Sequence, residues 1–421
     1  MNKKLKKFIG QVHLWLGLAS GIVVFILGIT GCILAFEEEI KDWVYADKLF
    51  VEAPNSQQPL PLSDNLKVAQ SALEPDMPIQ IIDLKNDKTR SYLFRANKRN
   101  SRATDLFANR FVYWFDCYTD PYTATVLKKE DFTKEFFRVV LDIHMYLWIF
   151  RFDIGHQITA AATLIFVIML ITGLVLWWPK NKAARKQRFW FRWKNTTKWK
   201  RKNYDIHNIL GFYSMFLALF IALTGLVWAY SWFNDSVQWV ANGGKIIEHT
   251  HERVQSNPNS TTILHPIDKV HEFSRINYPK ADRYLFFLRQ DSLRTLGAYV
   301  AYDDPTQTVS LEFDQYTGEL LKIDSWENKT NGEKVYAYNY DIHVGAIFGL
   351  PGKILAFFAS LISTSLPVTG FIIWWGRRKK GQGVKELNKN DKYSNNNLKA
   401  GTLFPLWRDV CGRRVGKKES P

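Results

Sequence analysis

The sequence predicts an α-helical membrane protein in which four transmembrane helices form a tandem duplication, with a large α+β domain outside the membrane in each half. Three observations carry this reading. Four long apolar runs interrupt an otherwise polar chain, and each reaches the roughly 20 residues that span a bilayer's hydrocarbon. Each run has a Thr-Gly pair near one end: Thr30-Gly31, Thr172-Gly173, Thr224-Gly225 and Thr369-Gly370. The runs also repeat in register. His13 precedes Thr30 by 17 residues and His207 precedes Thr224 by 17, with Gly17 and Gly211 in step, while the other two runs share TGLVLWWP and TGFIIWWG. Self-similarity of this kind marks a repeated unit.

In chain order, the reading gives a first span at 8–36, a first outer domain with an interfacial helix at 37–155, and a second span at 156–178. A basic connector at 179–206 leads to a third span at 207–232, a second outer domain with an interfacial segment at 233–349, a fourth span at 350–376 and a basic tail at 377–421. The mean hydropathy of −0.20 is no objection, because nearly half the chain lies in the two polar loops. Residues 1–7, 180–206 and 377–421 together carry a net +23, which leaves −7 on the rest of a chain whose net charge is +16. Basic flanks stay on the cytoplasmic side. Both termini and the connector are therefore expected in the cytoplasm, and both large loops outside. The basic segments flank apolar spans and read as topology signals and lipid-headgroup contacts, so nucleic acid is not an expected partner.

Ile29-Thr30-Gly31-Cys32 resembles a lipoprotein cleavage box. However, Thr30-Gly31 matches Thr224-Gly225 deep in the chain, and the apolar stretch is too long for a signal-peptide core. The first span is expected to be permanent. The three cysteines, Cys32, Cys117 and Cys411, fall in three different regions and form no CxxC or CxxCH. This argues against thiol chemistry, iron–sulfur clusters and covalently attached haem.

Each outer domain reads as a helix followed by hairpins. In the first, Ser63 is a candidate N-cap for a helix to Leu73, and strands are expected at Pro78–Leu84, Ser91–Arg95 and Arg110–Phe115. In the second, Ile267–Phe273 is the helix and Tyr284–Leu288, Ala298–Ala301 and Thr308–Phe313 are the strands. The last hairpins correspond: Asp120-Pro121-Tyr122-Thr123 before Val126-Leu127, and Asp314-Gln315-Tyr316-Thr317-Gly318 before Leu320-Leu321.

Nine histidines are present. His249, His251, His265 and His271 lie among polar residues and read as surface side chains. A histidine in or beside an apolar helix is costly and usually has a partner or a task. His13 and His207 occupy equivalent positions, about two turns inside the cytoplasmic end. His144 in Leu-Asp-Ile-His matches His343 in Tyr-Asp-Ile-His, and both stand just outside the second span of their half. Neutral imidazoles facing across a pseudo-twofold axis suit the two axial positions of a b haem. Two haems follow, one at the His13/His207 level and one at the His144/His343 level. Thr172-Gly173 and Thr369-Gly370 would give the first macrocycle room. The alternatives are an interhelical hydrogen bond or an interfacial histidine at each position. His156 has Lys353 as its duplicate, so replacement ligand, propionate contact and interfacial residue stay open for it. Arg138, Arg151 and Lys353 are candidates for pairing with propionates. The chain between His144 and Trp177 is too long for one helix within a bilayer, so the outer histidines are expected on short helices that fold back, with breaks at 152–155 and 349–352. Two or three aromatic residues are expected between the haems.

An aromatic-rich strand followed by D-x-Y-T-[GA]-x-[VL]-L resembles the PepSY module. With HxxLG helix starts at His13 and His207 and spans containing Thr-Gly, residues 8–378 resemble a PepSY-associated transmembrane protein. That family includes bacterial inner-membrane ferric-siderophore reductases and iron-regulated membrane proteins. The resemblance implies two extracytoplasmic PepSY-like domains, a place in the bacterial inner membrane, and a ferric siderophore or other ferric chelate as electron acceptor. The chain has no Rossmann fingerprint, no Gly-rich phosphate loop and no HExxH. A cytoplasmic or membrane partner must therefore supply the electrons. Two other readings stay open: a non-enzymatic, membrane-anchored PepSY binding or inhibitory module, and an electron conduit to another oxidoreductase.

Overall fold

The computed structural model describes residues 2–100, 110–148, 152–179, 181–247 and 254–400. His249, His251, Arg151 and Cys411 lie outside the described residues. In the first half the elements are α1 (Lys3–Leu34), α2 (Glu37–Val44), α3 (Ala46–Leu49), α4 (Leu62–Ser71), β1 (Ile81–Lys85), β2 (Tyr92–Arg99), β3 (Phe111–Thr119), β4 (Val126–Asp131), α5 (Phe136–Tyr146) and α6 (Phe152–Trp177). After α7 (Lys182–Arg188), the second half runs α8 (Trp199–Ala229), α9 (Ser231–Ala241), α10 (Pro266–Asn277), β5 (Arg283–Phe287), β6 (Leu296–Ala301), β7 (Val309–Phe313), β8 (Leu320–Asp324), α11 (Asn331–Ala337), α12 (Asn339–Val344) and α13 (Gly349–Ala400). The chain divides into two units, Met1–Gly370 and Phe371–Pro421. In the second unit α13 continues as an aromatic and basic helix, with the Phe371 and Trp375 rings stacked 6.0 Å apart.

Four helices are long and apolar enough to cross a membrane: Lys3–Leu34, Asp153–Trp177, Trp199–Ala229 and Ala346–Arg378. Association inside lipid depends on close backbone approach rather than on apolar burial, and small residues provide it. A Cβ on Gly28 would sit 2.1 Å from Thr364 Oγ1, and one on Gly21 would sit 3.3 Å from Pro367 Cβ, so α1 lies directly on α13. Gly211 similarly brings α8 near Leu366 of α13, while α6 touches both α1 and α8. The buried positions between the two histidine levels are Ser20, Gly21, Val24 and Gly28 on α1, and Ile209, Ser214, Met215, Ala218 and Ala222 on α8. None of these is aromatic, and the aromatic ring packed against the buried Leu170, Met215 and Ala218 is that of Phe166 on α6. Phe216 and Phe220 of α8 turn outward.

The outer modules are not separate domains. Their strands form one eight-stranded antiparallel sheet in the order β4-β3-β2-β1-β5-β6-β7-β8. β1 and β5 pair across the pseudo-twofold, with Ile81 opposite Phe287 and Lys85 opposite Arg283. The β1 and β5 edges thereby cover one another, leaving β4 and β8 as the edges of the sheet. The Asp83–Arg283 ion pair crosses the seam. The Ser63 backbone N–H and Oγ bind the Asp268 carboxylate at 2.8 and 2.6 Å. Ser63 is thus a cross-module clamp rather than the N-cap expected for it, because α4 starts one residue earlier with Pro61 in the cap position. α4 and α10 cover one face of the sheet, over a core that includes Ile82, Phe94, Phe286, Val300 and Phe313. In the corresponding turns, Asp120 and Asp314 accept backbone N–H bonds from Tyr122 and Tyr316 at 2.7 and 2.9 Å. The fifth residue of each motif is left-handed, Ala124 at φ 51° and Gly318 at φ 70°. Glycine adopts that conformation without the Cβ clash that alanine meets there.

His271 corrects another expectation. It faces the sheet from α10, with Phe286 5.9 Å and Tyr92 6.3 Å from its ring centre, and burial pushes it down to about 4. The unfolded chain then binds the proton more readily between about pH 6.5 and 4, so this domain should lose stability as pH falls through that window, by on the order of 3 kcal/mol. His271→Phe should flatten the dependence in urea titrations at pH 4.5 and 7.5. An unchanged slope would remove His271 as its source.

The short helices fold back as expected; the first break precedes 152–155, and the second runs from Gly345 to Gly349, at the start of the expected 349–352. α5 ends at Leu147 and Trp148, both left-handed at φ 56° and 50°, and α12 ends at Gly345, φ 81°. Residues 152–155 are already helical. A Cβ on Gly155 would lie 2.0 Å from the Tyr146 carbonyl oxygen, and one on Gly352 would lie 2.1 Å from that of Gly345. Glycine at both places lets the span begin directly beneath the end of its short helix.

Candidate functional site

Every Thr-Gly pair seats one histidine. His13 Nδ1 lies 2.9 Å from Thr172 Oγ1, and His207 Nδ1 lies 2.8 Å from Thr369 Oγ1. Near the sheet, His144 Nδ1 lies 2.8 Å from Thr30 Oγ1, and His343 Nδ1 lies 2.9 Å from Thr224 Oγ1. The glycine completes each seat. A Cβ there would stand 3.3 Å (Gly173), 3.4 Å (Gly370), 3.5 Å (Gly31) and 3.5 Å (Gly225) from Cε1 of the seated ring. The ring thus lies against bare backbone. Each pairing stays within its own half, and each joins two different helices. This explains why the pairs sit at opposite depths in alternate spans.

The structure brings His144 and His343 together across the pseudo-twofold. Their ring centres are 6.3 Å apart and their planes cross at 76°. An imidazole nitrogen bonds a metal at about 2 Å, and a ring centre lies roughly 1.2 Å behind its nitrogen, so two imidazoles on one metal have centres about 6.4 Å apart. His144 and His343 are therefore the residues that would hold a metal between them at this level. Among the described residues no group of three or more His, Cys, Asp or Glu side chains gathers for a metal ion. Each ring keeps some accessible edge, yet the surrounding protein is dense enough that burial pushes both down to about 4. Both are neutral at neutral pH, the ligating state. His13 and His207 sit on α1 and α8. The 17 residues from His13 to Thr30 put the two levels about 25 Å apart along the helix.

His156 stands apart from the four. Its ring packs 6.0 Å from that of Tyr146, and its carbonyl accepts the Thr159 hydroxyl at 2.9 Å. It faces no Thr-Gly pair. Lys353, at the duplicate position, pairs with Glu39 at 2.8 Å. Arg138 pairs with Asp142 at 2.5 Å and lies 4.7 Å from the Trp114 ring. Burial raises Asp142 to about 6, with Arg138 opposing.

Two further contributors emerge from the structure. The pentapeptide Asn-Tyr-Asp-Ile-His occurs twice, at 203–207 and 339–343. In both copies the asparagine Nδ2 donates to the backbone carbonyl of the threonine that seats the same copy's histidine. Asn203 reaches Thr369 O at 3.0 Å and Asn339 reaches Thr224 O at 3.1 Å. The repeated string is the signal that could have revealed this. Trp228, one turn beyond Thr224, packs 5.1 Å from the His343 ring and is 38% exposed. Its duplicate position is Leu34, so symmetry gave no hint of it.

A family model described as the PepSY-associated TM region matches residues 11–377. No curated protein matches the chain in sequence.

Proposed function

Because the chain belongs to the PepSY-associated TM family, and His144 and His343 meet across the two halves while His13 and His207 hold equivalent seats near the other end of the helices, we propose that it carries electrons across the membrane on two b haems. His13 and His207 would hold one, and His144 and His343 the other. The acceptor is a ferric chelate outside, a ferric siderophore in particular. The observation that carries the reading is the 6.3 Å separation of the His144 and His343 rings, which is the spacing of two imidazoles sharing one metal. When bound, haem supplies a one-electron centre that cycles between ferric and ferrous iron.

The chain's own residues do the rest. The histidines offer neutral nitrogen donors, and the Thr-Gly pairs hold each ring in place. The close-packed helices exclude water between the levels. Trp228 extends from His343 toward solvent at the sheet-bearing end. One electron converts one Fe(III) to Fe(II). A hard Fe(III) is gripped by anionic oxygen ligands and Fe(II) is held far more weakly, so reduction releases the metal. The basic flanks favour both termini in the cytoplasm, and the family favours a place in the bacterial inner membrane. The donor is a cytoplasmic or membrane partner that brings its own nicotinamide or flavin.

Proteoliposomes with dithionite sealed inside and a ferric siderophore plus an Fe(II) indicator outside test this. Indicator colour should develop only in vesicles that contain the protein. Haem present with no external Fe(II) would leave a conduit to another oxidoreductase.

A further inference from the structure

We propose that the hydroxyls of Thr30, Thr172, Thr224 and Thr369 are positioning groups that lock each histidine in one tautomer and one ring orientation, and so set the strength of the ligand. This rests on the haem reading above. The observation is that each threonine oxygen lies within hydrogen-bond distance of both a ring Nδ1 and backbone carbonyls of its own helix. Each Oγ1 donates to the carbonyl four residues back: Thr30 to Ile26 at 2.7 Å, Thr172 to Ile168 at 2.7 Å, Thr224 to Phe220 at 2.9 Å and Thr369 to Ser365 at 2.9 Å. A hydroxyl has one proton. With that proton committed to a carbonyl, the oxygen facing the histidine can only accept. The histidine must therefore carry its proton on Nδ1, which leaves the Nε2 lone pair for a metal. The same device occurs in four separate places, so it is a property of the repeated unit.

Two consequences follow. An Nδ1–H bonded to an acceptor makes the imidazole a stronger donor. A stronger donor favours ferric over ferrous iron, so each seat lowers the potential of its own site. Both sites have the same kind of seat, which matches their ligand strength and leaves any difference in potential to the surroundings. The seats also fix the angle between ligand planes. Thr30 on α1 and Thr224 on α8 hold the outer rings at 76°. Nearly perpendicular imidazole planes give a low-spin ferric haem a strongly anisotropic electron paramagnetic resonance signal, whereas parallel planes give a rhombic one. In the second half, Asn203 and Asn339 fasten the same threonines by their carbonyls, which stiffens the seat itself.

The test compares Thr224→Val with Thr224→Ser in the purified, haem-loaded full chain. Valine keeps the shape and removes the acceptor, while serine keeps the hydroxyl. Haem content, the paramagnetic resonance spectrum and a spectroscopic redox titration are read together. Serine should resemble the parent. Valine should raise the potential of one haem only and change the anisotropic signal of that haem only, or lose that haem while serine retains it. An unchanged spectrum and potential in Thr224→Val would overturn the proposal, as would valine and serine variants that behave alike. An unaltered protein that binds no haem would instead sink the electron-transfer reading, and haem content alone reports that.

Discussion

Replacing His343 with alanine should leave about one haem per chain instead of about two, because a six-coordinate site then loses an axial ligand. The effect should be local. His13 and His207 sit about 25 Å away along the helices and share no seat with His343. The other haem should therefore stay low-spin and reducible by dithionite, while reduction of an external ferric chelate should collapse. His144→Ala should match it, since the two rings face one another at 6.3 Å. His156→Ala is the control. Its ring packs on Tyr146 rather than on a Thr-Gly pair, so haem content should be unchanged. Loss of a haem in His156→Ala with full retention in His144→Ala would reassign the ligand on that half.

The second large effect concerns the other level. His13→Ala and His207→Ala should each remove the complementary haem, again about one per chain. The outer pair should survive, so the anisotropic signal expected from crossed rings should persist while the second low-spin species disappears. Electrons supplied from the connector side should then fail to reach the remaining haem at a useful rate, although dithionite added on the sheet side would still reduce it. Full haem content with an unchanged spectrum in both variants would make this pair a structural hydrogen bond to Thr172 and Thr369 and nothing more.

Much of this arrangement was legible in the sequence because a duplication writes each feature twice. The 17-residue spacing from His13 to Thr30 and from His207 to Thr224 fixed which histidines correspond, and two-fold correspondence separates His144 and His343 from His156, whose duplicate is Lys353. The strands were also legible, since alternating apolar residues and the D-x-Y-T turns depend on local chemistry. The seam was not. Pairing of β1 with β5 unites segments about 200 residues apart, and nothing local in Ile81–Lys85 specifies an edge partner. His271 reads as polar surface because its neighbours Glu272 and Lys269 are charged, yet it shares the sheet-facing side of α10 with Ile267 and Val270. As small residues the threonines suggest space for a macrocycle, whereas their hydroxyls make the contact. Small side chains in membrane helices suggest packing first, and only the distances to Nδ1 separate a spacer from a hydrogen-bond partner.

The central claim is that four histidines hold two haems. The visible spectrum of the purified protein, oxidised and then reduced with dithionite, together with extraction and quantification of haem, tests it most directly. The account predicts low-spin b-type bands and about two non-covalent haems per chain. Protein that is folded, purified from haem-replete cells and colourless would contradict it, and the histidine pairs would then be interhelical hydrogen bonds in a membrane-anchored PepSY binding module.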